Sequence, residues 1–409
     1  MEVERRRRRR TIGDRDCSCA STTMSSSHLC PLAFSLLFLL LSCCGEMIGA
    51  SASNYTTLRL ARIQRHLERI NKPAAKTIQS PDGDIIDCVP RHKQPALDHP
   101  LLSDHKIQAK VRGREGPRNY SASDAARRAW QAWHHVGHCP RGTVPIRRSS
   151  VDDVLRAKSL FHFGKKQMRV PLARKVDAPD VVSGNGHEHA IAYTVNNQEV
   201  YGAKATMNVW DPSVQAENDP ELYGDSRPRL FTYWTSDAYR ATGCYNLLCA
   251  GFIQTNNRIA IGAAISPVSS PGSGQYDITI LVWKDPKLGN WWMSFGDSML
   301  VGYWPAELFT HLSDRATMVE WGGEVVNMRP NGEHTSTQMG SGRFAGSGFG
   351  KASYFRNLEV VDADNSLVSA QAIATLAENT KCYDIRSFSN ADWGAYFYFG
   401  GPGNNPQCP

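Results

Sequence analysis

Several familiar sources of chemistry are missing from this chain. No Gly-x-Ser-x-Gly occurs, so a serine-hydrolase elbow is not indicated. No Cys-x-x-Cys follows residue 52, which argues against a zinc ribbon. The run GSGFGKAS (346–353) only superficially resembles a phosphate loop. Ala352 follows Lys351 where Ser or Thr is needed, and the motif's first glycine would fall on Ala345. The formal charge of +7 comes without interleaved aromatics or a nucleic-acid reader motif, so nucleic acid is not an expected partner. No internal repeat is evident. Leu29–Cys44 (LCPLAFSLLFLLLSCC) is nearly all apolar but short of the ~20 residues of a spanning helix.

That apolar stretch has another reading. The Arg5–Arg10 run lies upstream, and Ala50-Ser51-Ala52 gives an A-x-A cleavage pattern. Together they predict a secretory signal peptide, with Met24 as a more ordinary start and an uncleaved anchor through residues 29–44 as the alternative. Beyond it lie six cysteines, Cys88, Cys139, Cys244, Cys249, Cys382 and Cys408. An even number on a secretory route implies disulfides, not nucleophiles. Six cysteines allow 15 pairings. Sequence locality favours Cys88–Cys139, Cys244–Cys249 and Cys382–Cys408. Asn54-Tyr55-Thr56 and Asn119-Tyr120-Ser121 are glycosylation sequons that fit the same route.

With 409 residues, 41% hydrophobic and 21% charged, the chain can build two domains and a sizeable core. Leu60, Ile63, Leu67 and Ile70 form a helix stripe that Pro73 ends. A short strand is expected at Asp84–Val89. A second helical piece is expected at Ser123–Trp133, with Ser123 as cap. Val170–Gly186 is unperiodic and rich in breakers, so the domain boundary is placed there.

From His187 onward, short strand-like runs alternate with turn residues. They fall at 189–195, 201–210, 229–235, 251–254, 258–265, 276–283, 291–295, 299–303, 318–326, 335–339, 353–361 and 393–399. Only Pro305–Leu312 reads as helix. This is the pattern of an antiparallel β-sandwich following a small mixed α+β domain. The expected segments are 1–52 for the leader, 53–170 for the first domain and 180–409 for the sandwich.

The stretch most suggestive of chemistry is Ala316–Asn327, ATMVEWGGEVVN. Val319, Trp321 and Val325 alternate with Glu320 and Glu324, as on a half-buried strand. Gly322 and Gly323 mark a place where another backbone or a ligand comes close. Glu324, just past them, is the candidate catalytic carboxylate; the alternative is a solvated sheet face. Glu320 lies ~13 Å away along the strand, too far to share a proton with it. His187 and His189 would face one side of their strand as metal ligands do. No third ligand is visible, so neither a metal nor another cofactor is expected.

Long runs then show a resemblance. HEHAIAYT (187–194), PELYGDSRPRLFTYWTSDAYRATGCYNLLCAGF (220–252), WKDPKLGNWW (283–292), VGYWP (301–305), EWGGEVVN (320–327), TQMGSG (337–342), FGKASYFRNLEVVD (349–362) and YFYFGGPGNNPQC (396–408) are similar to the plant neprosin family. GDIIDCVPRHKQPALDHPLL (83–102) resembles that family's activation peptide. The resemblance implies a zymogen whose own propeptide covers a glutamic endopeptidase that cuts proteins after proline at acid pH. It assigns Glu324 as the second glutamate of a catalytic pair. The family's two catalytic-domain disulfides match Cys244–Cys249 and Cys382–Cys408.

One departure stands out. The family's first glutamate lies in an Ile-Glu-Ala-Gly-Trp-like strand shortly before Pro-Glu-Leu-Tyr-Gly. Here nine residues separate Trp210 from Pro220, where the family has about two more strands. Counting back from Glu221 puts Ser213 at the glutamate's position, and Glu217 is out of register. The resemblance therefore implies a peptidase with one of its two carboxylates missing. The rival reading is a non-catalytic sandwich binding proline-rich proteins or glycans through the aromatics Trp291-Trp292, Tyr303-Trp304 and Tyr233-Trp234.

Overall fold

The computed structural model describes residues 57–108, 111, 117–118, 129–157, 159–165, 186–195, 198–215, 222–237, 242–296, 299–327, 329 and 332–409. The leader, Asn54, Asn119, Glu217 and Glu221 lie outside them, as does most of the expected boundary at 170–186. Residues from Leu60 onward form one compact unit.

Helix α1 (57–70) carries the stripe read from the sequence. Its Ile63 and Leu67 are buried against Val154 and Phe163. Strands β1 (Lys76–Gln79), β2 (Ile85–Pro90), β3 (Trp130–Gln131) and β4 (Thr143–Arg147) follow, then helix α2 (Val151–Arg156). Helix α2 starts on a capping box in which Ser150 and Asp153 each satisfy the other's backbone N–H. β1, β2 and β4 make a three-stranded antiparallel sheet, joined to its neighbours by the Cys88–Cys139 disulfide.

The remaining strands are β5 (His187–Thr194), β6 (Gly202–Asn208), β7 (Tyr233–Trp234), β8 (Cys244–Tyr245), β9 (Ile253–Gln254), β10 (Ile265–Ser266), β11 (Asp277–Lys284), β12 (Trp291–Phe295), β13 (Met299–Trp304), β14 (Glu320–Val326), β15 (Ser353–Val361), β16 (Leu367–Ser369), β17 (Ile373–Ala377), β18 (Asp384–Asn390) and β19 (Gly394–Gly400). A large sheet runs β18-β19-β15-β6-β11-β12-β13-β9, with β16 beside β15. A smaller sheet runs β14-β5-β17. All the named pairings in both are antiparallel, and the molecule is mainly β.

The sandwich closes where these two sheets meet. Ala190 and Ala192 of β5 and Trp321 and Val325 of β14 pack with Ala205, Phe355, Leu358, Phe397 and Phe399 of the large sheet. The other side of the large sheet holds a second core, around Leu281, Trp283, Trp292, Phe295 and Tyr303. Leu102 and Ala129 of the N-terminal region complete it. Each such side chain, fully buried, contributes about 1.5–3 kcal/mol. Trp291, Trp292, Tyr303 and Trp304 are all buried there in the full chain, whereas Tyr233 and Trp234 are half-buried.

Several sequence expectations need correction. Ser123–Trp133 is not a helix where it is described: β3 and a 3₁₀ turn (Ala132–His135) stand there. Gln131 explains it, because its side chain donates to the Ala260 carbonyl (2.6 Å) and accepts from the Ala260 N–H (2.8 Å). Tertiary pairing overrides local propensity. The helix expected at Pro305–Leu312 shrinks to a 3₁₀ turn at Ala306–Leu308, and Thr310 instead bonds the Ser236 carbonyl. Residues 335–339 are not a strand. The Asn327 and Gln215 side chains accept from that backbone instead, at the Thr335 and Ser336 N–H groups. Strands β16, β17 and β18 went unseen, β18 because it is a polar edge strand.

A buried ion network fastens the N-terminal region to the sandwich. Asp84 pairs with Arg147 (2.8 Å) and with Arg229 (2.5 Å), the latter side chains being 5% and 3% exposed. Arg147 also reaches Asp153 (3.3 Å), and both guanidiniums face the Tyr223 ring. Asp84→Asn leaves two buried cations under-neutralised. The expected loss is about 3–5 kcal/mol, read as a lower urea midpoint; an unchanged midpoint would refute the clasp.

Gly322 has a φ of +151°, and an added Cβ would sit 2.2 Å from the Ala190 carbonyl oxygen of β5. Gly323 is closed by Met339 Cγ at 2.7 Å. Gly322→Ala must part β14 from β5, at a cost of about 1–3 kcal/mol or more. Gly323→Ala should cost less, because its backbone is not in the left-handed region and its neighbours, Met339 and the Phe399 ring edge at 2.8 Å, are side chains and not the backbone of the paired strand. Thermal melts of the two variants check the order.

Candidate active site

Strand alternation sorts β5 into two faces. Ala190 and Ala192 enter the core, and His187, His189, Ile191 and Tyr193 take the opposite face. The β14 register sets Glu324 opposite His189, Val326 opposite His187 and Glu320 opposite Tyr193. Glu324 therefore stands on the outer face of the smaller sheet, as the sequence pattern predicts. Its side chain is 39% exposed, against 13% for His187 and 11% for His189. Of these three groups the carboxylate is the one a large substrate can reach.

Both imidazoles turn toward it. His187 Nδ1 is hydrogen-bonded to Glu324 Oε1. His189 Nε2 lies 3.6 Å from the same oxygen, an ion-pair separation rather than a hydrogen bond. The other side of His189 is held by Glu378, the residue following β17. Nδ1 is 2.9 Å from Glu378 Oε1, and the His189 backbone N–H donates to Oε2. One imidazole thus sits between two carboxylates from different strands. Burial alone would lower its pKa; Glu324 and Glu378 outweigh this and raise it to about 9.

Glu188 points the other way. It accepts from Asn327 Nδ2 (2.8 Å) and pairs with the buried His334 Nε2 (3.0 Å). Despite burial, which opposes ionisation, these partners lower the Glu188 pKa, and Glu188 and Thr335 raise that of His334. The Glu188–His334 pair closes the end of the inter-sheet core. His334 also lies near Cys382 and Cys408. Those sulfurs are joined as a disulfide, which takes them out of a thiolate ligand set. Disulfides Cys88–Cys139, Cys244–Cys249 and Cys382–Cys408 are all formed.

Ser213, at the position counted for the missing glutamate, lies elsewhere. Its N–H donates to Gln338 Oε1 (3.0 Å) and its carbonyl accepts from the Gln338 N–H (2.8 Å). It brings no acid to the site. Glu378 is the functional candidate that sequence reasoning missed. Its signal was the pairing of Ile373–Ala377 with β5, and IATLA is too bland to announce a strand.

Comparison with known families now decides the assignment. Residues 200–402 match the family described as Neprosin, and residues 77–193 match the Neprosin activation peptide. The chain belongs to the neprosin family. It is a neprosin-family precursor that carries its own propeptide. The activation-peptide match covers β1–β4 and extends into β5, while the Neprosin match begins just before β6 and contains β14, Glu324 and Glu378.

The His189 environment couples this neprosin fold to pH. The folded-state pKa of about 9 lies above the ordinary 6.5. Stabilisation by protonated His189 is therefore complete below about pH 6.5 and is lost as pH rises through about 9. At about 1.4 kcal/mol for each pH unit between the two values, the ceiling is roughly 3 kcal/mol. Urea midpoints should fall across that window, and His189→Gln should flatten this part of the profile. An unaltered slope in the variant would contradict the assignment.

Proposed function

We propose that this chain is the precursor of a secreted endopeptidase that cleaves polypeptides after proline at acid pH, with impaired catalysis. The family's chemistry, an accessible Glu324 and the paired cysteines support the first part. The nine residues between Trp210 and Pro220 support the second, because the strand bearing the other glutamate has no room there. The observation that carries the reading is Glu324 itself, held by its register against β5 on an exposed sheet face.

The chemistry follows from that placement. Glu324 as carboxylate accepts a proton from water, whose oxygen attacks the carbonyl carbon of a prolyl bond. The acid that assists the departing carbonyl charge and amine is the half supplied by the missing strand. General acid–base assistance is typically worth 10²–10⁴-fold, which sets the scale of impairment.

The test compares two acid-matured proteins on a proline-containing peptide: the native chain and a version with the missing strand restored. The restored version should cleave after proline ~10²–10⁴-fold faster, and Glu324→Gln should abolish cleavage in both. Equal rates would refute the impairment. A restored protein without cleavage would refute the peptidase reading, and retention of the peptide without turnover would favour the binding module.

A further inference from the structure

We propose that in this chain His189 supplies the acid, and that Glu378 is the positioning residue that aims it. This inference rests on the peptidase reading above and concerns its acid half. Among the described residues, the groups placed on the outer face near Glu324 are His187, His189 and Glu378. Glu378 does not reach Glu324 directly; it acts through the ring between them. Its two-point grip, one oxygen on the backbone N–H and one on Nδ1, fixes both the height and the rotation of the imidazole. Nε2 is then the ring atom left facing Glu324, at 3.6 Å. At that separation the two groups make no hydrogen bond to each other, so a reacting atom lying beside the pair can be touched by both.

The step balances without a cofactor. Water forms the new C–O bond while Glu324 takes its proton. The carbonyl π pair moves onto oxygen, which takes a proton from His189 Nε2–H. In collapse, that hydroxyl returns its proton to Nε2 and the carbonyl re-forms. The C–N bond breaks, and its electron pair takes the proton held by Glu324. The products are a prolyl carboxylic acid and a free amine, and both side chains end as they began. Glu378 exchanges no proton in the step and stabilises the imidazolium, the part an orienting carboxylate plays beside a catalytic histidine.

An imidazolium and a carboxylic acid lose their protons in different pH ranges, which makes the proposal testable. The native chain, cut ahead of β5 so that His189 is kept, its His189→Gln, Glu378→Gln and Glu378→Asp variants and the strand-restored protein cut at the same place are assayed on one proline-containing peptide, with isotope-labelled histidine followed by NMR. The alkaline limb of kcat in the native chain should lie well above that of the strand-restored protein, near the His189 value of about 9. His189→Gln should lower kcat ~100-fold. Glu378→Gln should lower kcat at unchanged KM and move both the alkaline limb and the His189 ring titration down by about one pH unit or more, with Glu378→Asp partly restoring both. A Glu378→Gln protein whose limb and ring titration stay in place overturns the proposal, as does a His189→Gln protein with native kcat. So does a native chain with no turnover beside an active strand-restored one, which leaves the peptidase reading standing. If the strand-restored protein is also inactive, that reading fails first.

Discussion

Strand β5 lies between β14 and β17, and its register against both determines what the molecule presents. Because the strand period is two, a slip of one residue would send His187 and His189 into the core and Ala190 and Ala192 out of it. The inner set resists this. Ala190 and Ala192 pack with Trp321, Phe355 and Phe397, where an imidazole would not fit without a partner. The glycines of β14 hold the same register from the other side, since Gly322 leaves no space for a side chain against the Ala190 carbonyl. Packing on one face of the sheet thereby fixes chemistry on the other.

Each end of this arrangement is tied by charge. On the inner side, Glu188 and His334 form a pair that is satisfied by Asn327 and Thr335 as well. On the outer side, Glu324 and Glu378 hold one imidazole from opposite flanks. Away from the site, the Asp84–Arg147–Arg229 network secures the activation segment to the sandwich. Buried ion pairs are poor sources of net stability but costly to break from one side. That asymmetry suits a joint which must stay closed in the precursor, since partial opening leaves uncompensated charge in a dry setting.

Much of this was legible in the residues. The stripe Leu60, Ile63, Leu67 and Ile70 gave α1, and period-two runs gave β5, β6, β11, β12 and β15 nearly to the residue. The position of Glu324 on an outer face followed from Trp321 and Val325 facing inward. What stayed hidden depends on long-range pairing. Gln131 trades hydrogen bonds with Ala260, 129 residues away, and turns a helical-looking segment into β3. Asn327 and Gln215 side chains replace the ladder that TSTQM would otherwise have needed. Glu378 stands beside His189 only because β17 pairs with β5, 189 residues away in sequence. No local pattern encodes such a contact.

If the acid-bearing strand is absent, as proposed, the question asked of Glu324 changes. A pair of carboxylates divides its roles by splitting pKa values, so that one stays neutral while the other is charged. A single carboxylate cannot do this with itself. Beside an imidazole gripped by a second carboxylate, the proposed division is made by residue type instead: the ring keeps its proton because two acids favour the cation, and Glu324 is the group that receives one. The Glu378 grip matters because an imidazole free to rotate about χ2 would offer either nitrogen, and only Nε2 faces the acid across the sheet. On the proposed reading the face keeps a proton donor, and its geometry is set by β5 and β17, elements that lie outside the stretch between Trp210 and Pro220.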